Sequence, residues 1–317
     1  MSREILNRLL AYLNIAVTKR STLSALEREL ARLQQAECAR DQTVQAIAQR
    51  LEGTELAVAL ARNEGIKHQI ALKWSIIDTM EARDSGRLQE LTCPLCDHAD
   101  VRATFVAYEG FCSFGGGRLS RHQCPRCDLI FGPQKMLTLT GAELALEYQW
   151  HYLVYAEGDS TEQELRAFHA LEPRRDGVYL NYGAGSWSRT LKILRGEGWN
   201  VYGFEPHGDA SPAGSEVISK RETLAGMRFD GIFSNNVLEH LRHPADELRA
   251  MSNLLNAGAR MVHATPCFEY LYEYTRFHLF FYLGRSREML GQQAGLTLDQ
   301  FIKDDEFMAC VWRKSTQ

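Results

Sequence analysis

Val178-Tyr179-Leu180-Asn181-Tyr182-Gly183-Ala184-Gly185-Ser186-Trp187-Ser188 reads as a short apolar strand, a glycine turn and the start of a helix. Gly183 and Gly185 let the backbone turn tightly and let a ligand approach main-chain N–H groups with no Cβ in the way. Further on, Val201-Tyr202-Gly203-Phe204-Glu205 is a second strand that ends in a carboxylate. An acid at the tip of the second strand is what a ribose diol needs in a doubly wound nucleotide site. The two signals together predict a nucleoside-bearing cofactor.

From residue 172 to 317 strand and helix patterns alternate. Strands are predicted at 178–183, 199–204, 216–219, 230–234, 259–264, 296–303 and 306–314, and helices at 187–196, 244–256 and 286–294. Such alternation implies a parallel sheet covered on both faces. Only Asp304-Asp305 separates the last two strands, so they should form an antiparallel hairpin. The expected fold is therefore α/β, a seven-stranded doubly wound sheet with an antiparallel last strand.

Three regions precede it. Residues 1–88 lack proline and are rich in good helix formers. Leu23, Leu26, Leu30 and Leu33, then Val44, Ile47 and Leu51, step by threes and fours, while Glu37 and Arg40 interrupt the stripe. This is a coiled-coil or helical-hairpin pattern, with Gly53 and Gly65 as candidate bends. It predicts either a homo-oligomer formed through these helices or a helical layer on the chain's own domain.

Residues 89–135 carry Cys93-Pro94-Leu95-Cys96 and Cys124-Pro125-Arg126-Cys127. A strand over Arg102 to Tyr108, a turn at Gly115-Gly116-Gly117 and a return over Arg118 to Gln123 would bring the two knuckles together. Four soft thiolates close a tetrahedral site, so Cys93, Cys96, Cys124 and Cys127 are candidate Zn2+ ligands in a small, separate zinc ribbon. A closed four-cysteine site has no open position, which makes the metal structural. His98, Cys112 and His122 are read as bystanders.

Residues 136–171 are read as linker helices. Tyr148, Trp150, His151, Tyr152 and Tyr155 cluster there, either as core packing or as a wall of a substrate site. Asp159-Ser160-Thr161 with Gln163-Glu164 predicts a capping box opening a helix over Glu164 to Leu171.

The chain of 317 residues has a formal net charge of −4, which argues against nucleic acid as a partner. No apolar run approaches the roughly 20 residues of a membrane span. The Leu9–Leu13 stretch reads as amphipathic helix, not a signal peptide. The expected compartment is the cytoplasm, where paired CxxC cysteines point to metal binding.

The C-terminal region resembles the class I S-adenosylmethionine-dependent methyltransferases. The residues that carry the resemblance are Leu180 to Gly185, Phe204-Glu205-Pro206, and the run Phe229-Asp230-Gly231-Ile232-Phe233-Ser234-Asn235-Asn236-Val237-Leu238-Glu239-His240, followed by Pro244, Leu248 and Thr265-Pro266. His278 ahead of a helix over Ser286–Gly295 also fits. More loosely, a cysteine ribbon ahead of such a domain resembles the zinc-containing sugar methyltransferases. The resemblance implies S-adenosylmethionine as cofactor. Gly183 and Gly185, with Asn181 and Tyr182, would lie under its methionine part. Glu205, beside Pro206, would accept from both ribose hydroxyls. Glu222, within Arg221-Glu222-Thr223, would flank the adenine. Ser234 and Asn235 would line the floor under the sulfonium.

Two positions depart from the family pattern. Asn181 stands where an acid is usual, so it can accept from the cofactor's ammonium but brings no charge. Trp187 stands where a third glycine is common, so its ring either covers the methionine tail or crowds it. Methyl transfer needs a positioned nucleophile, and a hydroxyl acceptor needs a base. The candidates are His240 and His278, with His263 third. In some related enzymes a Glu-x-x-Glu-His run binds a divalent metal; Asn236-Val237-Leu238-Glu239-His240 lacks one carboxylate, and no metal is expected there. The expected acceptor is a small molecule or a glycan, such as a sugar in polysaccharide assembly. A non-catalytic scaffold with a decayed site and an RNA methyltransferase are the alternatives, and a nicotinamide-dependent enzyme is more distant.

Overall fold

A computed structural model of the chain describes residues 3–84, 90–156, 158–185, 188–206 and 216–316. It divides into two compact units, Met1–Gly65 and Ile66–Gln317.

The first unit is helix throughout, as the composition predicts. It belongs to α1, Arg3–Asp84, which runs through Gly53 and Gly65 without a break. Along it Leu33, Val44, Ile47 and Leu51 are all exposed, so these stripe positions bury nothing within the unit. The side chains of Leu23, Leu26 and Leu30 lie outside the described set.

The second unit begins with the last turns of α1, where Ile70 and Trp74 are buried. The cysteine region follows: β1 Glu90–Thr92, β2 Ala99–Val101, β3 Val106–Phe111, β4 Arg118–Gln123 and β5 Leu129–Phe131. The strand predicted from Arg102 starts later, because Arg102–Thr104 forms a 3-10 turn. Nor is the ribbon a separate sheet. Among the described residues β1 and β2 pair only with each other, while β3, β4 and β5 continue into β11, Phe280–Tyr282, in the order β11-β5-β4-β3. β11 pairs antiparallel with β5 from Phe280 opposite Phe131 to Tyr282 opposite Leu129. Both strands are buried along their length, a continuous apolar character that sequence alone assigns to either neighbour.

α2 Gln134–Leu137, α3 Gly141–Tyr152 and α4 Thr161–Ala170 bridge to the main sheet. A capping box forms at α3, where Thr140 and Glu143 exchange side-chain and backbone hydrogen bonds. At α4 the predicted box is replaced: Ser160 makes no cap bond to the backbone. Its hydroxyl instead donates to the Glu164 carboxylate at 2.7 Å.

The main sheet comprises β6 Val178–Tyr182, β7 Asn200–Phe204, β8 Val217–Ile218, β9 Phe229–Asn235, β10 Leu255–Ala264, β12 Leu296–Asp304 and β13 Phe307–Lys314. Its order is β12-β13-β10-β9-β6-β7-β8. The pairs β6–β7, β6–β9, β7–β8 and β9–β10 are parallel. β13 is antiparallel to both β10 and β12. Helices α5 Arg189–Gly196, α6 Arg221–Leu224, α7 Pro244–Leu254 and α8 Ser286–Gln293 complete the unit. β6 and β9 are central and largely buried, and apolar residues predominate in them apart from Asn181 and the ends of β9. Chain order reverses between β6 and β9, and ligands of open α/β sheets bind at such switch points, beyond the carboxyl ends of the strands.

Candidate cofactor and acceptor sites

The turn after β6 is set by its glycines. Gly183 has φ +81°, and a Cβ there would come within 2.5 Å of Val237 Cγ2. Gly185 has φ +69°, with nothing within 4 Å of where a Cβ would stand among the described residues. The first glycine is therefore required by packing against Val237 as well as by its φ, and the second by its positive φ. The Gly183 and Ala184 amides both donate to the Phe204 carbonyl. The Gly185 amide donates to Glu205 Oε2 at 3.1 Å, which ties the turn to the acid at the tip of β7. Ser186 and Trp187 lie outside the described residues.

The other expected cofactor residues divide. Asn181 is buried, donates to Glu164 Oε2 at 2.8 Å, and leaves its Oδ1 without a partner. Tyr182 turns into the core: its ring packs 4.8 Å from Phe204, and its hydroxyl donates to Glu247. Burial, followed by that carboxylate, pushes its phenol above the usual range. Only its backbone is left for a ligand. Pro206 and Glu222 are exposed, Glu222 on α6 beside the unit's sheet edge. Ser234 is fully buried and its hydroxyl meets His263 Nδ1 at 2.9 Å, so it faces the next strand. Asn235 closes β9 and is partly exposed.

The two candidate catalytic histidines come together, with ring centroids 4.9 Å apart. His240 follows β9, and its Nδ1 lies 3.0 Å from the Tyr148 hydroxyl on α3. His278 precedes β11, and its Nδ1 meets the Tyr272 carbonyl at 2.9 Å. That carbonyl accepts only, so the proton sits on Nδ1 and Nε2 carries the lone pair. Burial and then the neighbouring His240 push His278 down to about 3. Beneath them Glu239 is fully buried. Burial pushes its carboxyl up, but His263, His240 and His278 outweigh this and hold it at about 2. Thr265 donates to it, and His263 Nε2 lies 3.3 Å from it. The aromatic cluster read from sequence assembles beside this pair. Tyr148 stacks on Phe277 with centroids 4.4 Å apart, and His151 stacks on Tyr155 at 4.8 Å. Tyr152, Tyr272 and Tyr274 remain exposed.

Lowered histidines make an acid-sensitive fold. Burial, then Arg276, pushes His151 down to about 4, as burial and His240 do His278 to about 3. The unfolded chain protonates these rings near pH 6.5, so it binds more protons than the folded one below that pH. Stability should therefore fall as pH drops from about 6.5 towards 4. Urea midpoints at pH 7 and pH 5 check this, and His278→Gln should reduce the difference between them. An unchanged difference would contradict the burial argument.

The four cysteines converge as predicted, with all four Sγ atoms within 4.8 Å of one another. Cys93 lies 3.5 Å from Cys127, and Cys96 3.6 Å from Cys124. The two knuckles repeat one geometry. Asp97 and Asp128, each one residue past a CxxC, donate back to the Cys93 and Cys124 carbonyls at 3.0 Å. Both take positive φ, 55° and 69°, which Asp tolerates better than most residues. Contact with the Cys127 sulfur holds the Cys93 thiol below its usual range.

A seven-stranded sheet in this order, with parallel strands, an antiparallel penultimate edge pairing and a glycine turn beside an acid, defines a class I methyltransferase fold. Residues 155–300 match the family model described as "Methyltransferase domain". Those residues, a little under half of the chain, are thus similar to a methyltransferase domain. Similar solved structures include the 1,6-didemethyltoxoflavin-N1-methyltransferase of Burkholderia thailandensis, at 15% identity over 62% of this chain and 95% of that one, TM-score 0.42. A methyltransferase of calicheamicin biosynthesis matches at 17% identity over 55% and 59% of the two chains, TM-score 0.39. An S-adenosylmethionine-dependent methyltransferase from Mesorhizobium loti matches at 14% identity over 48% and 98%, TM-score 0.35. No curated protein sequence matches this chain. No helix among the described residues is long and apolar enough to cross a membrane.

Proposed function

We propose that this protein binds S-adenosylmethionine at the carboxyl edge of β6 and β7 and transfers its methyl group to a small-molecule or glycan acceptor held beside His240 and His278. The observation that carries the reading is the hydrogen bond from the Gly185 amide to Glu205 Oε2, which sets the glycine turn beside the acid at the tip of β7. Glu205 has the chemistry to accept from a ribose diol. When bound, the cofactor supplies the activated methyl. The protein's part is to position the acceptor, exclude water and take a proton. His240, steadied by Tyr148, is the proposed base. His278, neutral at working pH, orients the acceptor through Nε2. The exposed rings of Tyr152, Tyr272 and Tyr274 support a ring-shaped acceptor such as a sugar. In this reading Cys93, Cys96, Cys124 and Cys127 hold a structural Zn2+, for which four converging thiols are the right donor set. The exposed stripe of α1 favours a homo-oligomer through the N-terminal helix, and reduced thiols favour the cytoplasm.

Isothermal titration with S-adenosylmethionine and S-adenosylhomocysteine tests the cofactor assignment. Both should bind, and NAD should not. His240→Gln should leave that binding unchanged and lower turnover by about 100-fold or more once an acceptor is found. Folded protein that binds neither ligand at millimolar concentration would sink the reading and favour a scaffold.

A further inference from the structure

Asn181 sits at the carboxyl end of β6, two residues before the glycine turn, and is 1% exposed. One side of its amide is committed, because Nδ2 donates to Glu164 Oε2 at 2.8 Å. A carboxylate only accepts, so it fixes the amide with its nitrogen inward. Oδ1 is thereby turned away from Glu164, where it is buried and has no hydrogen-bond partner among the described residues. A buried carbonyl oxygen left in this way is a standing cost that a donor would relieve.

Glu164 lies in the first turn of α4, and its Oε1 accepts from Ser160 at 2.7 Å. Each carboxylate oxygen has two acceptor sites, so one bond each leaves Glu164 further capacity. The pair therefore presents an anion and an unpartnered amide oxygen at the switch point of the sheet. The complementary ligand is a small cation with several N–H donors, which a primary ammonium group is.

We infer that Glu164 and Asn181 together form the subsite for the ammonium group of the cofactor's amino-acid end, with the negative charge supplied by α4 instead of by β6. The inference rests on the S-adenosylmethionine reading. It also gives the amide at 181 a reason. An aspartate there would face the Glu164 carboxylate and repel it, whereas asparagine bonds to Glu164 and still accepts from the ligand. The departure at Asn181 is then one half of a two-residue substitution, not a lost contact.

Calorimetry with two probes separates this from a purely structural tether. S-adenosylhomocysteine carries the ammonium; 5′-methylthioadenosine keeps the nucleoside and lacks the amino-acid end. Glu164→Gln should weaken S-adenosylhomocysteine binding by about 10- to 100-fold, the range of a hydrogen bond to a charged group. It should leave 5′-methylthioadenosine within about twofold, which also reports that the site is folded. Glu164→Gln combined with Asn181→Asp moves the charge onto the strand and should restore most of the affinity. Asn181→Asp alone should not tighten binding. Unchanged S-adenosylhomocysteine affinity in Glu164→Gln would overturn the inference. So would equal loss of both probes in the single and double variants. Failure of wild-type protein to bind either probe would instead remove the cofactor reading on which the inference stands.

Discussion

Cys124→Ser is expected to abolish zinc binding and to unfold the ribbon together with the segment that leads into β11. The four thiols lie close enough to share one ion, with all Sγ atoms within 4.8 Å. Binding a structural Zn2+ contributes on the order of 10 kcal/mol, comparable with the whole stability of an ordinary domain. The two knuckles themselves are short turns whose approach the shared ion would fix. Leu91, Leu95 and Phe105 are buried in the same apolar cluster as Cys93, Cys124 and Cys127. The loss should spread because the second knuckle is tied to the main domain. Asp128, one residue past Cys127, accepts from the Arg285 backbone at 3.0 Å and from its side chain at 2.7 and 2.8 Å. β5 begins at Leu129 and pairs with β11, which starts two residues after His278. Metal analysis should give about one zinc per wild-type chain and little in the variant. Denaturation midpoints should fall steeply, while Cys38→Ser, on the exposed face of α1, should change neither quantity. Wild-type protein without zinc, or a Cys124→Ser variant that keeps it, would refute the assignment.

The legibility of this molecule follows the range of its interactions. Local patterns were readable. The glycine turn, the strand ends near Val178, Asn200 and Phe307, and the two CxxC knuckles all appear where the sequence puts them. Each is decided by neighbours within a few residues. What stayed hidden depends on side chains far apart in the chain. No spacing rule joins Asn181 to Glu164, 17 residues earlier, because the bond exists only once α4 has packed on the sheet. The same holds for β11 and the ribbon. Phe280-Phe281-Tyr282 is apolar enough for a core lid or a strand, and only the facing strand decides which. Helix caps show the limit most sharply. Both Thr140–Glu143 and Ser160–Gln163 have acceptable spacing, yet only the first closes as a box, because Ser160 finds the Glu164 carboxylate instead. His240 and His278 were readable as candidates. Their partnership was not, since Tyr148 reaches His240 from α3 across 92 positions.

Glu147→Ala should be the most destabilising single change outside the cysteines, at about 3–5 kcal/mol. Glu147 is buried on α3, where its carboxylate accepts from Trp74 Nε1 at 3.0 Å and lies 3.3 Å from Arg276 Nε. Lys73 also pairs with it. Arg276 is 0% exposed, with its guanidinium 4.3 Å from the Phe277 ring centroid and bonded to the Phe114 carbonyl at 3.3 Å. Burial lowers its proton affinity, and the Glu147 carboxylate 3.3 Å away is the counter-charge set against it. Removing that carboxylate leaves a buried cation without its counterion and a buried indole N–H without an acceptor. The cost should exceed that of an ordinary cavity at the same site. Glu147→Gln should be intermediate, because the amide oxygen still accepts from Trp74 while the charge is gone. The paired change Glu147→Leu with Arg276→Met removes both ions and should recover most of the loss, since replacing a buried pair by apolar groups is often neutral. Urea denaturation of the three variants gives the comparison. If the single change costs under about 1 kcal/mol, the pair is solvated like a surface bridge. If the double variant is no better than the single, the loss lies in packing instead of uncompensated charge.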